Sequence, residues 1–325
     1  MRNIRTDLAL EACEMYAEQS NKNDGINGVE VEENKDGSIT ITHVKITNED
    51  GEKALGKKCG NYITIESPDM KDGTENYERA CEIVAEQIRK ISAIDDESLI
   101  LVAGLGNHNI NPDALGPKVV EKLAVTRHIF KYMKEYTPRG MRQVCAVAPG
   151  VLGTTGIETV EIIKGIVEKV KPTLVIVIDA LASRKADRIS NTVQIADTGI
   201  SPGAGIGNKR SGINKETLGV DVIAIGVPTV VDAATIAGDA IDLLINDFKK
   251  EIDANSHLSS IISDFENNDR HMLIQNALSE NMGNLVVTPK EMDNIIDKVS
   301  SIVAGGINMA VHKDLTLEDI DGFLG

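Results

Sequence analysis

Residues 173–182, TLVIVIDALA, decide the fold. Five apolar residues, Leu174 to Ile178, run without a polar interruption into Asp179. A strand with one solvated face alternates apolar and polar residues, whereas an unbroken β-branched run marks a strand covered on both faces. The same texture recurs at SLILVAGLG (98–106), QVCAVAPG (143–150), TVQIAD (192–197) and VDVIAIGVP (220–228). Between these runs the apolar period changes to that of a helix, at about 114–124, 156–170 and 233–247. In the second of these, Val160, Ile163, Val167 and Val170 share one face. Strand and helix alternating in this way predict an α/β fold, a mostly parallel sheet with helices on both faces.

The flanking regions differ. Residues 8–20 read as a helix, SITITHVKI (38–46) and NYITIESPDM (61–70) as strands, and 74–91 as an amphipathic helix. Residues 28–69 therefore form a small N-terminal β elaboration. A polar, charged insertion is expected at 251–285. A final helix is expected after Thr288, read as its N-cap with Glu291 three residues on. Residues 8–325 are read as one domain.

Composition narrows the function. The 325 residues carry 34 basic and 50 acidic side chains, a net charge of -16, which disfavours direct nucleic-acid or anionic-membrane binding. Cys13, Cys59, Cys81 and Cys145 show neither disulfide-like nor metal-like spacing. No membrane-length apolar run and no apolar leader is present, so a cytoplasmic protein is expected. Cofactors and metals are expected to be absent.

In open α/β sheets, ligands bind beyond the carboxyl ends of the strands. The G-x-G of VAGLGNHNINPDALG could suggest a dinucleotide loop, but Asn109 stands where the third glycine belongs, and Asp113 would repel a phosphate. Asp113 is either a helix cap or half of a carboxylate pair with Asp179, and Asp179, which ends its apolar run at a neighbouring strand, is either that partner or a buried carboxylate neutralised by Arg184 or Arg188. Two such carboxylates split into acid and base and can hydrolyse a bond with neither metal nor nucleophile. Asp232 is read as a helix cap, and His108 as a solvated bystander. Thr154 and Thr155 lie at a helix start, where backbone N–H groups are free to bind. IADTG (195–199) carries the Asp-Thr-Gly of pepsin-like proteases, but one triplet inside an α/β pattern does not make that all-β, two-lobed fold.

Taken in order, IRTDLALE (4–11), GLGNHNINPDALGP (104–117), APGVLGTTGIET (148–159), VIDALASR (177–184), IADTGISPGAGIGNKR (195–210), GVPTVVDAATI (226–236) and the tail from Asn284 to Asp319 resemble the spore germination endopeptidases of spore-forming Firmicutes. The resemblance implies an aspartic-type pair at Asp113 and Asp179, a fold like that of hydrogenase-maturation endopeptidases, and a homotetramer in the spore core. The implied substrates are small acid-soluble spore proteins, cut after an acidic residue and before a large apolar one. It also implies a zymogen that removes its own propeptide. RTDLALE reproduces the cleavage pattern, which places the processing site between Asp7 and Leu8 and makes residues 1–7 a propeptide, shorter than in Bacillus-type members. An acidic side chain before the cut needs a positive partner, for which Lys209, Arg210, Arg184 and Arg188 are the candidates. Two alternatives are carried: a metal-sensing hydrogenase-maturation-type endopeptidase, and a non-enzymatic nucleotide-binding α/β protein.

Overall fold

The computed structural model describes residues 6–20, 25–72, 77–133, 135, 137–201, 211–251, 285–313 and 315–324. The expected insertion at 251–285 lies almost wholly outside them, as do Lys209 and Arg210.

Among the described residues, nine strands form one mixed sheet: β1 (Val29–Asp36), β2 (Ile39–Ile46), β3 (Gly60–Glu66), β4 (Leu99–Gly104), β5 (Gln143–Val147), β6 (Leu174–Ser183), β7 (Thr192–Ala196), β8 (Asp221–Asp232) and β9 (Val286–Val287). Their order is β1-β2-β3-β7-β8-β6-β4-β5, with β9 paired to the far end of β8. Strands β5, β4, β6 and β8 run parallel, and every other pairing is antiparallel. The sheet is therefore mixed rather than mostly parallel. Strand β7 shows why the sequence misled. All five of its residues are buried, so it reads like a parallel strand, but residues 184–191, which join it to β6, are too few for a crossover. The chain has to turn back. The N-terminal β segment joins the same sheet through β3 and β7.

Helices cover both faces. On one, Ile100, Val102, Ile176, Ile178, Ile223 and Ile225 pack against α3 (Tyr77–Ile91), α4 (Leu115–Glu121) and α10 (Met292–Val311). On the other, Leu101, Ala103, Val175, Val177 and Val222 pack against α7 (Thr159–Val170) and α8 (Lys215–Leu218). Successive residues of one strand thus enter different cores, the cause of the unbroken apolar run. A third cluster seats α1 (Ala9–Ser20) on Val44, Ile46, Tyr62 and Ala196 through Ala9. The remaining α-helices among the described residues are α2 (Glu49–Leu55), α5 (Arg127–Tyr132), α6 (Leu152–Thr155), α9 (Ala233–Glu251) and α11 (Leu317–Leu324). Helix α10 starts at Met292, later than expected, and Thr288 does not cap it: its hydroxyl donates to the Thr229 carbonyl at 2.9 Å. Among the described residues, no helix is long and apolar enough to cross a membrane.

One buried polar contact gives the fold a pH dependence. His312, at the end of α10, is 1% exposed. The Arg142 backbone N–H donates to its Nδ1 at 3.2 Å, and its Nε2 faces the Ala124 carbonyl at 3.4 Å, which fits the neutral ring. Burial, reinforced by the Arg142 charge, pushes its pKa down to about 4. Unfolded His titrates near 6.5, so the unfolded chain binds the extra proton first as pH falls. Stability present above pH ~6.5 should drop by about 3 kcal/mol on the way to pH ~4. Urea titrations across that window should show this slope, and His312→Asn should flatten it by about one proton.

Candidate active site

Strand β4 has β5 on one side and β6 on the other, so the chain leaving it turns one way and later returns on the opposite side. A crevice opens at such a reversal. Strand β4 stops at Gly104, paired with Ile178, and Leu105 N–H then donates to the Ile178 carbonyl at 2.8 Å. Asp179 is thereby the first residue of β6 with no β4 residue beside it. It remains 93% buried, paired in register with Gly226 of β8, and one carboxylate oxygen accepts the Ala180 N–H at 3.0 Å.

Asp113 arrives from the loop after β4. Pro112 helps to set a short 3-10 turn, Asn111–Asp113, immediately before α4. Asp113 does not cap that helix. Ala114 holds the cap position, and Asp113 Oδ2 turns back to accept the Asn107 N–H at 2.8 Å. The two glycines of the G-x-G are consumed by packing. A Cβ on Gly104 would sit 2.1 Å from the Gly116 carbonyl oxygen of α4, and Gly106 has φ +109° with the Asp113 carbonyl where its side chain would be. They bring the loop under α4 and deliver Asp113.

Asp113 and Asp179 line one cavity of about 810 Å³, and Asp7, Lys57, Gln194 and Asp232 line it too. The N-terminal segment is bound there. Asp7 N–H donates to the Ala182 carbonyl at 3.0 Å, and the Ala182 N–H returns to the Asp7 carboxylate at 2.9 Å. Lys57 Nζ at 2.9 Å and Gln194 Nε2 at 3.2 Å both donate to the Asp7 carbonyl oxygen, while Gln194 Oε1 accepts the Ala9 N–H at 2.7 Å. Leu8 and Ala9 are fully buried. Burial holds the Lys57 ammonium below the usual lysine range, against the opposing pull of Asp7, Glu11 and Cys13.

Glu11 fixes the far end of this segment. Its carboxylate accepts the backbone N–H groups of Arg184 at 2.7 Å and Lys185 at 3.0 Å, receives the Thr6 hydroxyl, and lies 3.3 Å from Arg188. The guanidinium of Arg188 also holds Glu14 at 2.7 Å and Glu66 at 2.8 Å. Burial would raise Glu14, but hydrogen bonds from Arg188 and Lys185 outweigh it and keep the carboxyl below its usual range. The Arg184 side chain pairs with Glu18 at 2.9 Å.

The other expected residues are placed as follows. The Thr155 hydroxyl donates to the Val151 and Ile157 carbonyls within its own turn, on an exposed surface. Asp197 of the Asp-Thr-Gly triplet accepts the Asn61 backbone N–H at 2.8 Å and its side-chain amide at 2.6 Å, locking β3 to the end of β7. Asp232 accepts the Ala234 N–H at 2.8 Å at the start of α9, and exposed His108 lies 3.5 Å from Glu121. Among the described residues, no three His, Cys, Asp or Glu side chains are grouped to hold a metal ion. Lys57 and Gln194 escaped the sequence reading because neither sits at the end of a parallel strand. The local sequence of Lys57, LGKKCG, carries no motif that would name a partner.

A family model described as germination protease matches residues 9–264 and 253–323. The chain belongs to the germination protease family. A germination protease of Clostridium perfringens strain SM101 is 50% identical over 327 residues, covering 100% of both chains. One of Clostridium tetani is 48% identical, covering 99% of each, and one of Geobacillus sp. strain WCH70 is 42% identical, covering 99% of this chain and 97% of its own. Membership in the germination protease family makes the chain an endopeptidase of spore germination.

Glu11→Gln tests how the N-terminal segment is held. An amide cannot accept from all these donors at once, so about 2 kcal/mol of local stability should be lost. Hydrogen exchange of the amides of 9–20 should quicken about thirtyfold, while exchange in β4 and β6 stays at the parent rate.

Proposed function

We propose that this germination protease cleaves small acid-soluble spore proteins, and that it is made as a zymogen which first cuts its own Asp7–Leu8 bond with Asp113 and Asp179. The observation that carries this reading is the seating of Asp7 in the same cavity as Asp113 and Asp179. Asp7, on the acidic side of the bond named from sequence pattern alone, lines the same cavity as the carboxylates named from strand-end logic, which supports the reading. Asp113 and Asp179 divide the roles of acid and base: one, ionised, takes a proton from water, and the other, protonated, supplies one to the leaving nitrogen. The buried Leu8 and Ala9 and the anchored Glu11 follow the acidic–apolar–small–acidic order expected of a substrate. By the same reading the active enzyme is an aspartic-type homotetramer of the spore core, folded like the hydrogenase-maturation endopeptidases.

Intact-mass measurement of the parent, Asp113→Asn and Asp179→Asn, held at mildly acidic and neutral pH, tests the proposal. The parent should lose residues 1–7, and each variant should do so at least about a thousandfold more slowly. Cleavage of both variants at the parent rate would place the chemistry elsewhere. Small acid-soluble proteins added to the processed parent should be cut after acidic residues, and stay intact with either variant.

A further inference from the structure

We infer that Lys57 and Gln194 are catalytic residues of the self-processing step, the pair that polarises the Asp7 carbonyl and stabilises the oxyanion formed on it. This rests on the reading that the Asp7–Leu8 bond is the one cut.

Both donors converge on one oxygen, Lys57 Nζ at 2.9 Å and Gln194 Nε2 at 3.2 Å, close to the range in which an oxyanion hole works. The Gln194 amide cannot turn away, because its oxygen is taken by the Ala9 N–H at 2.7 Å. One side chain therefore grips the chain on both sides of the bond, at the carbonyl of residue 7 and the N–H of residue 9. Gln194 is 8% exposed on β7, and its neighbours on both sides of that strand are buried. Lys57 follows the left-handed cap Gly56 that ends α2. Holding a neutral carbonyl requires no ion, and desolvating an ammonium for that purpose costs stability. A positive charge on that oxygen gains far more once the oxygen becomes negative, the signature of a group that binds the transition state better than the ground state.

The step balances with water alone. The oxygen of a water molecule bonds to the Asp7 carbonyl carbon as the ionised aspartate takes one of its protons. The carbonyl π pair moves onto oxygen, between the Lys57 ammonium and the Gln194 amide. As that pair returns, the carbon–nitrogen bond breaks, and Leu8 nitrogen keeps the bonding electrons and takes a proton from the protonated aspartate. A carboxyl at Asp7 and an amine at Leu8 result, nothing is oxidised, and Lys57 keeps its proton throughout.

The charged or titratable groups acting on Lys57 are Asp7, Glu11 and Cys13; burial raises the Cys13 thiol to about 11, which leaves it neutral in the working range. Desolvation of Lys57 brings loss of its proton to a lower pH than for an exposed lysine. Arginine keeps its charge there.

The experiment follows, by intact mass, the first-order rate at which full-length chain becomes chain beginning at Leu8, over a pH series, for the parent, Lys57→Met, Lys57→Arg, Gln194→Ala and Asp113→Asn. Lys57→Met should slow processing about a hundredfold or more, and Gln194→Ala about tenfold or more. Lys57→Arg should recover most of the rate, because it keeps the positive charge. Processing of a folded Lys57→Met at the parent rate overturns the inference, as does processing of Gln194→Ala at the parent rate; the latter decides if Lys57→Met does not fold. If the parent does not process, or Asp113→Asn processes at the parent rate, the cleavage reading itself falls and takes the inference with it. A fast Lys57→Met beside an inert Asp113→Asn removes the inference alone.

Discussion

The contact on which the site depends is between two backbones. Gly104, the last residue of β4, lies against Gly116 in the first turn of α4, and neither position has room for a Cβ. Because the helix can press this close, β4 ends one residue short of Asp179 and the connecting loop closes under α4. Asp179 is left buried, but uncovered toward the crevice, and the loop supplies Asp113 to the same space. A larger side chain at either glycine would lift the helix and part the two carboxylates. The dinucleotide-like spacing of the glycines thus follows from helix–strand packing, with no phosphate involved.

A second constraint is electrostatic. A chain of net charge -16 folds an acidic N-terminal segment onto its own sheet, which requires local positive charge. Arg188 provides it, lying within 3.3 Å of three carboxylates from α1 and β3. The Arg184 and Lys185 N–H groups complete the seat of Glu11. Fully buried Glu11 is tolerable only because its charge meets several donors.

Much of this was legible in the chain. Unbroken apolar runs marked β4, β5, β6 and β8, and Asp113 beyond the end of β4 and Asp179 at the end of the apolar run inside β6 stood out because burial makes a carboxylate conspicuous there. Direction was not legible for β7, since full burial erases the period that separates the two kinds of sheet. Strand β1 went unseen because its sequence, VEVEENKD, is that of a charged edge strand, in which solvation rather than packing selects the residues. The partners of the N-terminal segment were the least visible part. Arg184 and Arg188 were noticed for their charge, but their places opposite Glu18, Glu14 and Glu66 depend on the reversed strand. Lys57 and Gln194 meet Asp7 across separations of 50 and 187 residues, which no local pattern encodes.

The anchoring of Glu11 at the end of β6 also governs what else can enter the cavity. Asp7 lines it as the tip of a segment tethered through Glu11, and a tethered group does not dilute. Any free chain aligning along β6 competes with a local concentration on the order of millimolar. Occupancy by outsiders is therefore set by how often the Glu11 anchor opens, as much as by their own fit. A cut between Asp7 and Leu8 would release Asp7 from this tether and leave Leu8 and Ala9 held on the sheet through Glu11.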